Sequence, residues 1–277
     1  MKPGLSRARG PAARGLRFWK LTGAGNDFVL VEAAALRRRS PSAAARRLCD
    51  RRWGVGADGL LIVRRLAGGL GLDYFNADGS RAFCGNGTRC AAWWAWTRGW
   101  AGRRMRLATK AGPVEASVSG RQQVTVSMPQ PRAERPGLAV RAGGRRFVAH
   151  ALDTGAPHAV VAVRGLEAFP VAEFGRALRR HPAFGLGGTN VDFVERAGKA
   201  LCLRTYERGV EAETWACGTG AVAAAVVGWR LGWTEPPVRV RARGADLSVH
   251  FRGESGAVRE VRLTGPARIV FQGEVKL

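Results

Sequence analysis

Apolar positions along this chain fall into short runs rich in Val, Ile, Leu and Phe, bounded by Gly, Asn or Asp, a pattern of strands and turns rather than of long helices. Such runs occupy residues 28–31, 60–63, 72–75, 105–108 and 124–128 in the first half, and 159–163, 191–194, 201–206, 238–240 and 247–251 in the second. Two segments, each opening just after a cysteine and rich in Ala, break this pattern and predict helices over 85–98 and 218–230. Gly99 and Gly232 serve as their C-terminal stops, and Arg98 and Arg230 are suitable cations for a last helical turn. Ser40-Pro41 supplies the cap and first position of a further helix, and 171–180 predicts another. Pro129-Gln130-Pro131 is the best linker between two halves.

The halves repeat. Thr22-Gly23-Ala24-Gly25-Asn26-Asp27-Phe28 is echoed by Thr154-Gly155-Ala156-Pro157-His158-Ala159-Val160 at an offset of 132 residues. Asp58-Gly59-Leu60-Leu61-Ile62-Val63 is echoed by Thr189-Asn190-Val191-Asp192-Phe193-Val194 at 131, and Cys84-Gly85-Asn86-Gly87 by Cys217-Gly218-Thr219-Gly220 at 133. Chance supplies any one of these in a chain with 38 Gly. Three in the same order, with so little drift in offset, argue for a duplicated half and therefore for two pseudo-symmetric lobes of mixed α/β (α+β) structure.

Composition narrows the function. With 277 residues, 46% of them hydrophobic, the chain can bury one large core or two ordinary ones. No run approaches the roughly 18 apolar residues of a membrane span, so no membrane partner is expected. The basic opening segment 1–17 lacks the apolar middle of a secretory signal and reads as a disordered arm, with a transit peptide as the alternative. A formal charge of +24 ordinarily points to nucleic acid. Here only five of the 45 basic residues are Lys, and the Arg residues are spread over both halves instead of clustering with exposed aromatics. That pattern reads as a residue bias with a solvated basic surface, and no nucleic-acid partner is expected. Five cysteines without a CxxC pair or a His-x-His spacing fit reduced thiols in a cytoplasm and give no metal site.

The chemistry concentrates in the paired Cys-Gly-x-Gly motifs. A cysteine at a helix mouth faces unpaired backbone N–H groups and the positive end of the helix dipole, which favour its thiolate and can bring a thiol from about 8.5 down to roughly 3.5–7.5. The following glycines let the same N–H groups approach a substrate carboxylate. Two such mouths related by a pseudo-twofold place a sulfur on each side of a bound α-carbon. Inversion at that carbon needs a base on one face, an acid on the other, and donors for the charge that grows on the carboxylate. A lone Cys in a Gly- and Ala-rich helix is more often a small buried hydrophobe, and Cys49, Cys90 and Cys202, which lack the glycines, are read that way. Two in register, at Cys84 and Cys217, favour catalysis.

From about Phe18 to the C-terminus the chain resembles the diaminopimelate epimerase family. The resemblance rests on Gly23-Ala24-Gly25-Asn26-Asp27-Phe28, Gly54-Val55-Gly56-Ala57-Asp58-Gly59, Phe75-Asn76-Ala77-Asp78-Gly79-Ser80, Cys84-Gly85-Asn86-Gly87, Gly155-Ala156-Pro157-His158, Asn190-Val191, Tyr206-Glu207-Arg208-Gly209 and Ala216-Cys217-Gly218-Thr219-Gly220. It implies a pyridoxal-independent isomerase, with no cofactor, that interconverts LL- and meso-diaminopimelate in lysine and peptidoglycan precursor synthesis, and it allows a homodimer. It implies Cys84 and Cys217 as the acid–base pair, with Gly85, Asn86, Gly218 and Thr219 as donors around the reacting end. Asn26, Asn76, Asn190, Glu207 and Arg208 are implied as substrate-binding, and His158 and Glu207 as groups that tune the thiols. Turn formation is the competing role for the Asn residues, a structural histidine for His158, and a surface ion pair for Glu207-Arg208. Ala156 and Gly59 depart from residues common in the family, Asn and Gln, and Glu211-Ala212-Glu213 is one residue longer than its usual spacing, all of which bears on the distal end of the substrate.

The implied fold is a pair of lobes, each wrapping strands around a central helix, with the active site in the cleft between them. The expected division is an arm at 1–17, an N-terminal lobe at 18–128 completed by a returning strand within 264–277, and a C-terminal lobe at 132–263. Rival readings are a proline- or hydroxyproline-type racemase of the same fold and a thiol redox protein with a reversible Cys84–Cys217 disulfide.

Overall fold

The computed structural model describes residues 15–254 and 256–276. Its N-terminal elements are β1 (Leu16–Gly23), β2 (Asn26–Glu32), α1 (Ala33–Leu36), α2 (Pro41–Cys49), β3 (Gly59–Leu66), β4 (Gly69–Asn76), β5 (Arg81–Ala82), α3 (Gly85–Thr97), β6 (Arg104–Thr109), β7 (Gly112–Gly120) and β8 (Gln123–Ser127). There follow β9 (Arg132–Ala142), β10 (Arg145–Asp153), β11 (Pro157–Ala162), α4 (Val171–Arg179), β12 (Asn190–Ala197), β13 (Ala200–Glu207), β14 (Ala212–Thr214), α5 (Gly218–Arg230), β15 (Val238–Ala242), β16 (Asp246–Glu254), β17 (Ala257–Pro266) and β18 (Arg268–Val275). All ten predicted strand runs and all four predicted helices fall on observed elements. Strand β1 opens at Leu16, inside the segment read as an arm, while residues 1–14 lie outside the described residues.

The mixed α and β architecture has the expected internal symmetry. In the first half β2 runs parallel to β3 and β4 parallel to β6, with short β5 attached to β4. In the second, β11 runs parallel to β12 and β13 parallel to β15, with short β14 attached to β13. Strand β18, from the far end of the chain, pairs antiparallel with β1 as β9 pairs with β10. The last strands of the two halves, β8 and β17, pair antiparallel and close the seam, where the Thr125 and Thr264 hydroxyls lie 2.7 Å apart.

Each half wraps its strands around one helix, and this decides the composition of those helices. In α3 the residues from Gly85 to Ala92 are all buried, and in α5 so are Gly218 and the run from Gly220 to Gly228. A helix enclosed on all sides has no polar face, and strands approach it closely only over small side chains, which explains the Ala and Gly content. Both helices share one hydrophobic cluster. Smaller clusters lie under the outer helices, α2 in the first half and α4 in the second.

The strands that pattern reading missed have physical reasons for their silence. The core face of β7 is Val114, Ala116 and Val118, alternating with Glu115, Ser117 and Ser119, so it presents little apolar bulk. The first six residues of β9 are exposed, and Ala133 and Gly137 adopt positive φ of 52° and 70°, which breaks the two-residue rhythm.

A charged cluster pins the β1–β2 turn to the loop before β3. The Lys20 ammonium donates to Asp27 Oδ2 at 2.7 Å and to the Gly56 carbonyl, and Arg51 donates to both oxygens of Asp27 at 3.0 and 2.8 Å and to Asp58 at 2.8 Å. Asp27 and Asp58 exchange backbone N–H bonds, with Asp58 N on Asp27 Oδ1 at 2.9 Å and Asp27 N on Asp58 Oδ2 at 3.2 Å. Burial alone would raise the Asp27 carboxyl, but hydrogen bonds from Arg51 and Lys20 overcome it and hold the group at about 2. Because that lies below the unfolded value of about 3.9, the cluster stabilises the fold fully above about pH 4 and loses its contribution as pH falls toward 2. Asp27→Asn is expected to cost about 1–3 kcal/mol at neutral pH and to flatten this stretch of the acid dependence, as read by urea unfolding from neutral to acid pH. An unchanged acid profile in the variant would refute this assignment.

Candidate active site

The two Cys-Gly-x-Gly motifs form matching helix mouths. Cys84 is the N-cap of α3 and its Sγ accepts the Gly87 N–H at 3.4 Å; Cys217 is the N-cap of α5 and its Sγ accepts the Gly220 N–H at 3.4 Å. Sulfur replaces the oxygen of an ordinary Ser or Asp cap, and the contact strengthens when the thiol ionises. The mouths abut. A Cβ placed on Gly218 would lie 3.3 Å from Asn86 Oδ1 and 4.0 Å from Asn86 N, and Asn86 Nδ2 donates across to the Ala216 carbonyl at 3.2 Å. Cys84 is half-buried and Cys217 buried, and both are free thiols.

Thr219, in the first turn of α5, connects Cys217 to a buried polar pair. Its Oγ1 lies 3.3 Å from Cys217 Sγ and 2.9 Å from His158 Nε2, and His158 Nδ1 lies 2.6 Å from Asp192 Oδ2. Both side chains of the His158–Asp192 pair are fully buried. Asp192 Oδ1 accepts the Thr205 hydroxyl at 2.7 Å, so the carboxylate is held from two sides. Asn190 Nδ2 donates to the Pro157 carbonyl at 3.0 Å and lies 3.4 Å from His158 Nε2, while its Oδ1 accepts the Arg208 N–H at 2.8 Å.

The remaining candidates divide by what their side chains touch. Asn26 and Asn86 are tied to each other, Asn86 Nδ2 to Asn26 Oδ1 at 2.6 Å, and Asn26 donates in turn to Asp58 at 3.0 Å. Asn86 Oδ1 also accepts from Arg89 at 2.8 Å, so this side chain knits the two mouths together, while its backbone N–H acts on Cys84. Asn76 accepts from the Tyr74 hydroxyl at 2.8 Å and donates to Ser80 at 2.9 Å. Glu207 accepts the Thr214 hydroxyl at 3.0 Å, and its charge acts on both Cys84 and Cys217. Arg208 is exposed, with its guanidinium 3.4 Å from the Gly187 carbonyl. Gly59 is explained locally: a Cβ there would collide with the Tyr74 ring, which fills the space of a longer side chain.

Burial overturns the expectation of lowered thiols. It pushes Cys84 up to about 11 against the pull of the Gly87 N–H, and pushes Cys217 well above the ordinary thiol range, with Glu207 and Asp192 adding to the rise. Burial also raises Glu207. The helix mouths work in the expected direction, but apolar walls around both sulfurs outweigh them when no substrate is present. Asp192 and Thr205 escaped sequence reading because they lie in strand runs otherwise apolar; a polar residue on the core face of such a run was the available signal.

Comparison with known proteins identifies the family and the fold. The family model described as diaminopimelate epimerase matches residues 18–133 and 150–270. A diaminopimelate epimerase of Aquifex aeolicus (strain VF5) is 39% identical over 277 residues, covering 94% of this chain and 98% of the relative. Another, from Chlorobaculum tepidum, is 40% identical over 264 residues, covering 93% and 100%. Among solved structures, a probable proline racemase from Agrobacterium radiobacter K84 superposes with a TM-score of 0.73 at 16% identity, over 95% of this chain and 93% of that one, which establishes the shared fold. The chain belongs to the diaminopimelate epimerase family.

Proposed function

We propose that this chain interconverts LL- and meso-diaminopimelate, a step in lysine and peptidoglycan precursor synthesis, by moving the α-proton between Cys84 and Cys217. The observation that carries the reading is the juxtaposition of two helix mouths, each capped by a cysteine. One sulfur as thiolate takes the α-proton from one face; the other as thiol gives its proton to the opposite face. The electron pair left on the α-carbon delocalises into the carboxylate, which the N–H groups of Gly85, Asn86, Gly218 and Thr219 can receive. After turnover the two sulfurs have exchanged roles, so the reverse reaction uses the same parts.

His158, held by Asp192, orients Thr219 and through it Cys217, and Glu207 sets the charge felt by both thiols. Asn26, Asn76, Asn190 and Arg208 are assigned to the substrate's polar groups, because they offer the donors and acceptors that a doubly zwitterionic substrate requires. The likeness to a proline racemase extends to the fold, whereas the diaminopimelate epimerases are far closer in sequence, which favours the longer substrate.

In deuterated water, purified protein and LL-diaminopimelate should exchange the α-hydrogen and form the meso isomer, and Cys84→Ala and Cys217→Ala should each lower turnover about 10²–10⁴-fold. A chelator or added pyridoxal phosphate should leave the rate unchanged; exchange on proline instead would select the rival racemase. Because burial lifts both thiols, the base is scarce near neutrality, and kcat/KM should rise from about pH 6 to 8.5. A profile already flat there would count against thiol acid–base chemistry. Asp192→Asn, which removes the charge that holds His158, should lower kcat about tenfold or more in protein shown folded by circular dichroism; a kcat unchanged in the variant would remove Asp192 from the site.

A further inference from the structure

The pseudo-symmetry is broken at the chemistry. Beneath α5, Gly220 sits against Asp192, where any Cβ would collide with the carboxylate. Beneath α3 the matching Gly87 meets apolar atoms, Leu61 Cδ2 at 2.9 Å and Phe28 Cε1 at 3.5 Å from the position of a Cβ. The ladders give the same correspondence: Phe28 pairs with Gly59 as His158 pairs with Asn190. Phe28 and Leu61 thus stand where the second half has His158 and Asp192, which corrects the first sequence echo by two residues: at an offset of 132 it matches Asn26 to His158, whereas the ladders give 130.

The first half carries its own charged group elsewhere. Arg89 lies five positions after Cys84, and the residue five positions after Cys217 is Val222. Arg89 is fully buried; its Nη2 donates to Asn86 Oδ1 at 2.8 Å, and its Nε and Nη1 meet no acceptor among the described residues. Gly265 of β17 packs flat on the guanidinium, its Cβ position 3.2 Å from Cζ and Nε. A guanidinium does not neutralise itself by losing its proton, so its burial is strongly unfavourable unless a negative charge stands nearby. Thiolates at Cys90 and Cys84 would supply such a charge, and the two groups act on Arg89 electrostatically in that sense.

The hydrogen-bond chain at Cys217 points the other way. A carboxylate only accepts, so His158 Nδ1 carries the hydrogen shared with Asp192. In neutral imidazole Nε2 then accepts, the Thr219 hydroxyl donates to it, and the Thr219 oxygen is left to accept from the Cys217 S–H. With the imidazole neutral, the chain is satisfied end to end when Cys217 carries its proton.

We propose that Arg89 is a positioning residue that makes the thiol pair unequal, its buried charge making Cys84 the first of the two sulfurs to ionise while the Thr219–His158–Asp192 chain keeps the proton on Cys217. This rests on the two-thiol reading above and adds an order of ionisation to it. The groups facing Cys84 are Arg89 and Cys90 of α3, Tyr74 of β4 and Glu207 of β13; those facing Cys217 are Glu207, Asp192 and His158. Glu207 acts on both sulfurs and so does not discriminate. Burial pushes Cys90 and Tyr74 far up, leaving them neutral. Arg89 is then the cation that distinguishes the two mouths, and Asp192 the anion.

The test is alkylation of the native, substrate-free protein by iodoacetamide from about pH 7 to 12, with labelling of Cys84 and Cys217 quantified separately by mass spectrometry. Midpoints, unlike absolute rates, are independent of access. The Cys84 midpoint should lie below that of Cys217. Arg89→Met should raise it by about one pH unit or more while leaving Cys217 in place, and Arg89→Lys should restore most of the difference. Equal midpoints, a lower midpoint at Cys217, or an Arg89→Met variant that moves both sulfurs together or neither would overturn the proposal. If Arg89→Met does not fold, the native order and the Arg89→Lys midpoint decide it alone. The labelling needs no substrate, so a protein that orders its thiols as described yet fails to exchange diaminopimelate would refute the activity and spare the inference.

Discussion

Two helix N-termini pointed at one another set the terms for everything else in this structure. Each carries about half a positive charge and a set of unpaired N–H groups, so bringing α3 and α5 mouth to mouth is unfavourable until an anion lies between them. Duplication supplies the geometry, because each half wraps its strands around one such helix and the β8–β17 seam sets the halves against each other. Asn86 then ties the mouths together, bonding Asn26 on its own side and the Ala216 carbonyl on the other. A carboxylate entering this place gains both dipoles at once, and each mouth carries its own sulfur cap.

The same enclosure explains why the resting thiols sit high. Small residues let strands close over both helices, and that packing removes water from the sulfurs, so desolvation outweighs the N–H groups that favour the thiolate. A raised pair suits the proposed two-thiol reaction. A base that must also serve as the acid on the return journey gains nothing from being strongly ionised, and a water-poor site makes each fixed dipole count for more on the developing carboxylate charge.

Much of this was legible in the chain itself, and the limits of legibility have physical causes. The Cys-Gly-x-Gly helices were visible because their stops, Gly99 and Gly232, and their lack of alternation set them apart from the strands. The strands with Val, Ile and Leu cores were visible for the converse reason, while β9, exposed and kinked at Ala133 and Gly137, was not. Of the candidate site, the residues in turns and helix mouths are readable from the chain, whereas Asp192, Thr205 and Arg89 are not, because they are buried inside strands and a helix, where a polar side chain reveals its role only once its neighbours are known. The direction of the thiol shift was misjudged for the same reason. Local sequence shows a helix mouth; it does not show how much apolar mass surrounds it.

The central claim is that both sulfurs address one carbon from opposite sides, and diffraction from crystals soaked with diaminopimelate tests it most directly. The account predicts one α-carbon between Cys84 Sγ and Cys217 Sγ, each within about 3.5 Å, with its carboxylate on the N–H groups of both helix mouths. A substrate bound elsewhere, or both sulfurs on the same face of that carbon, would contradict it.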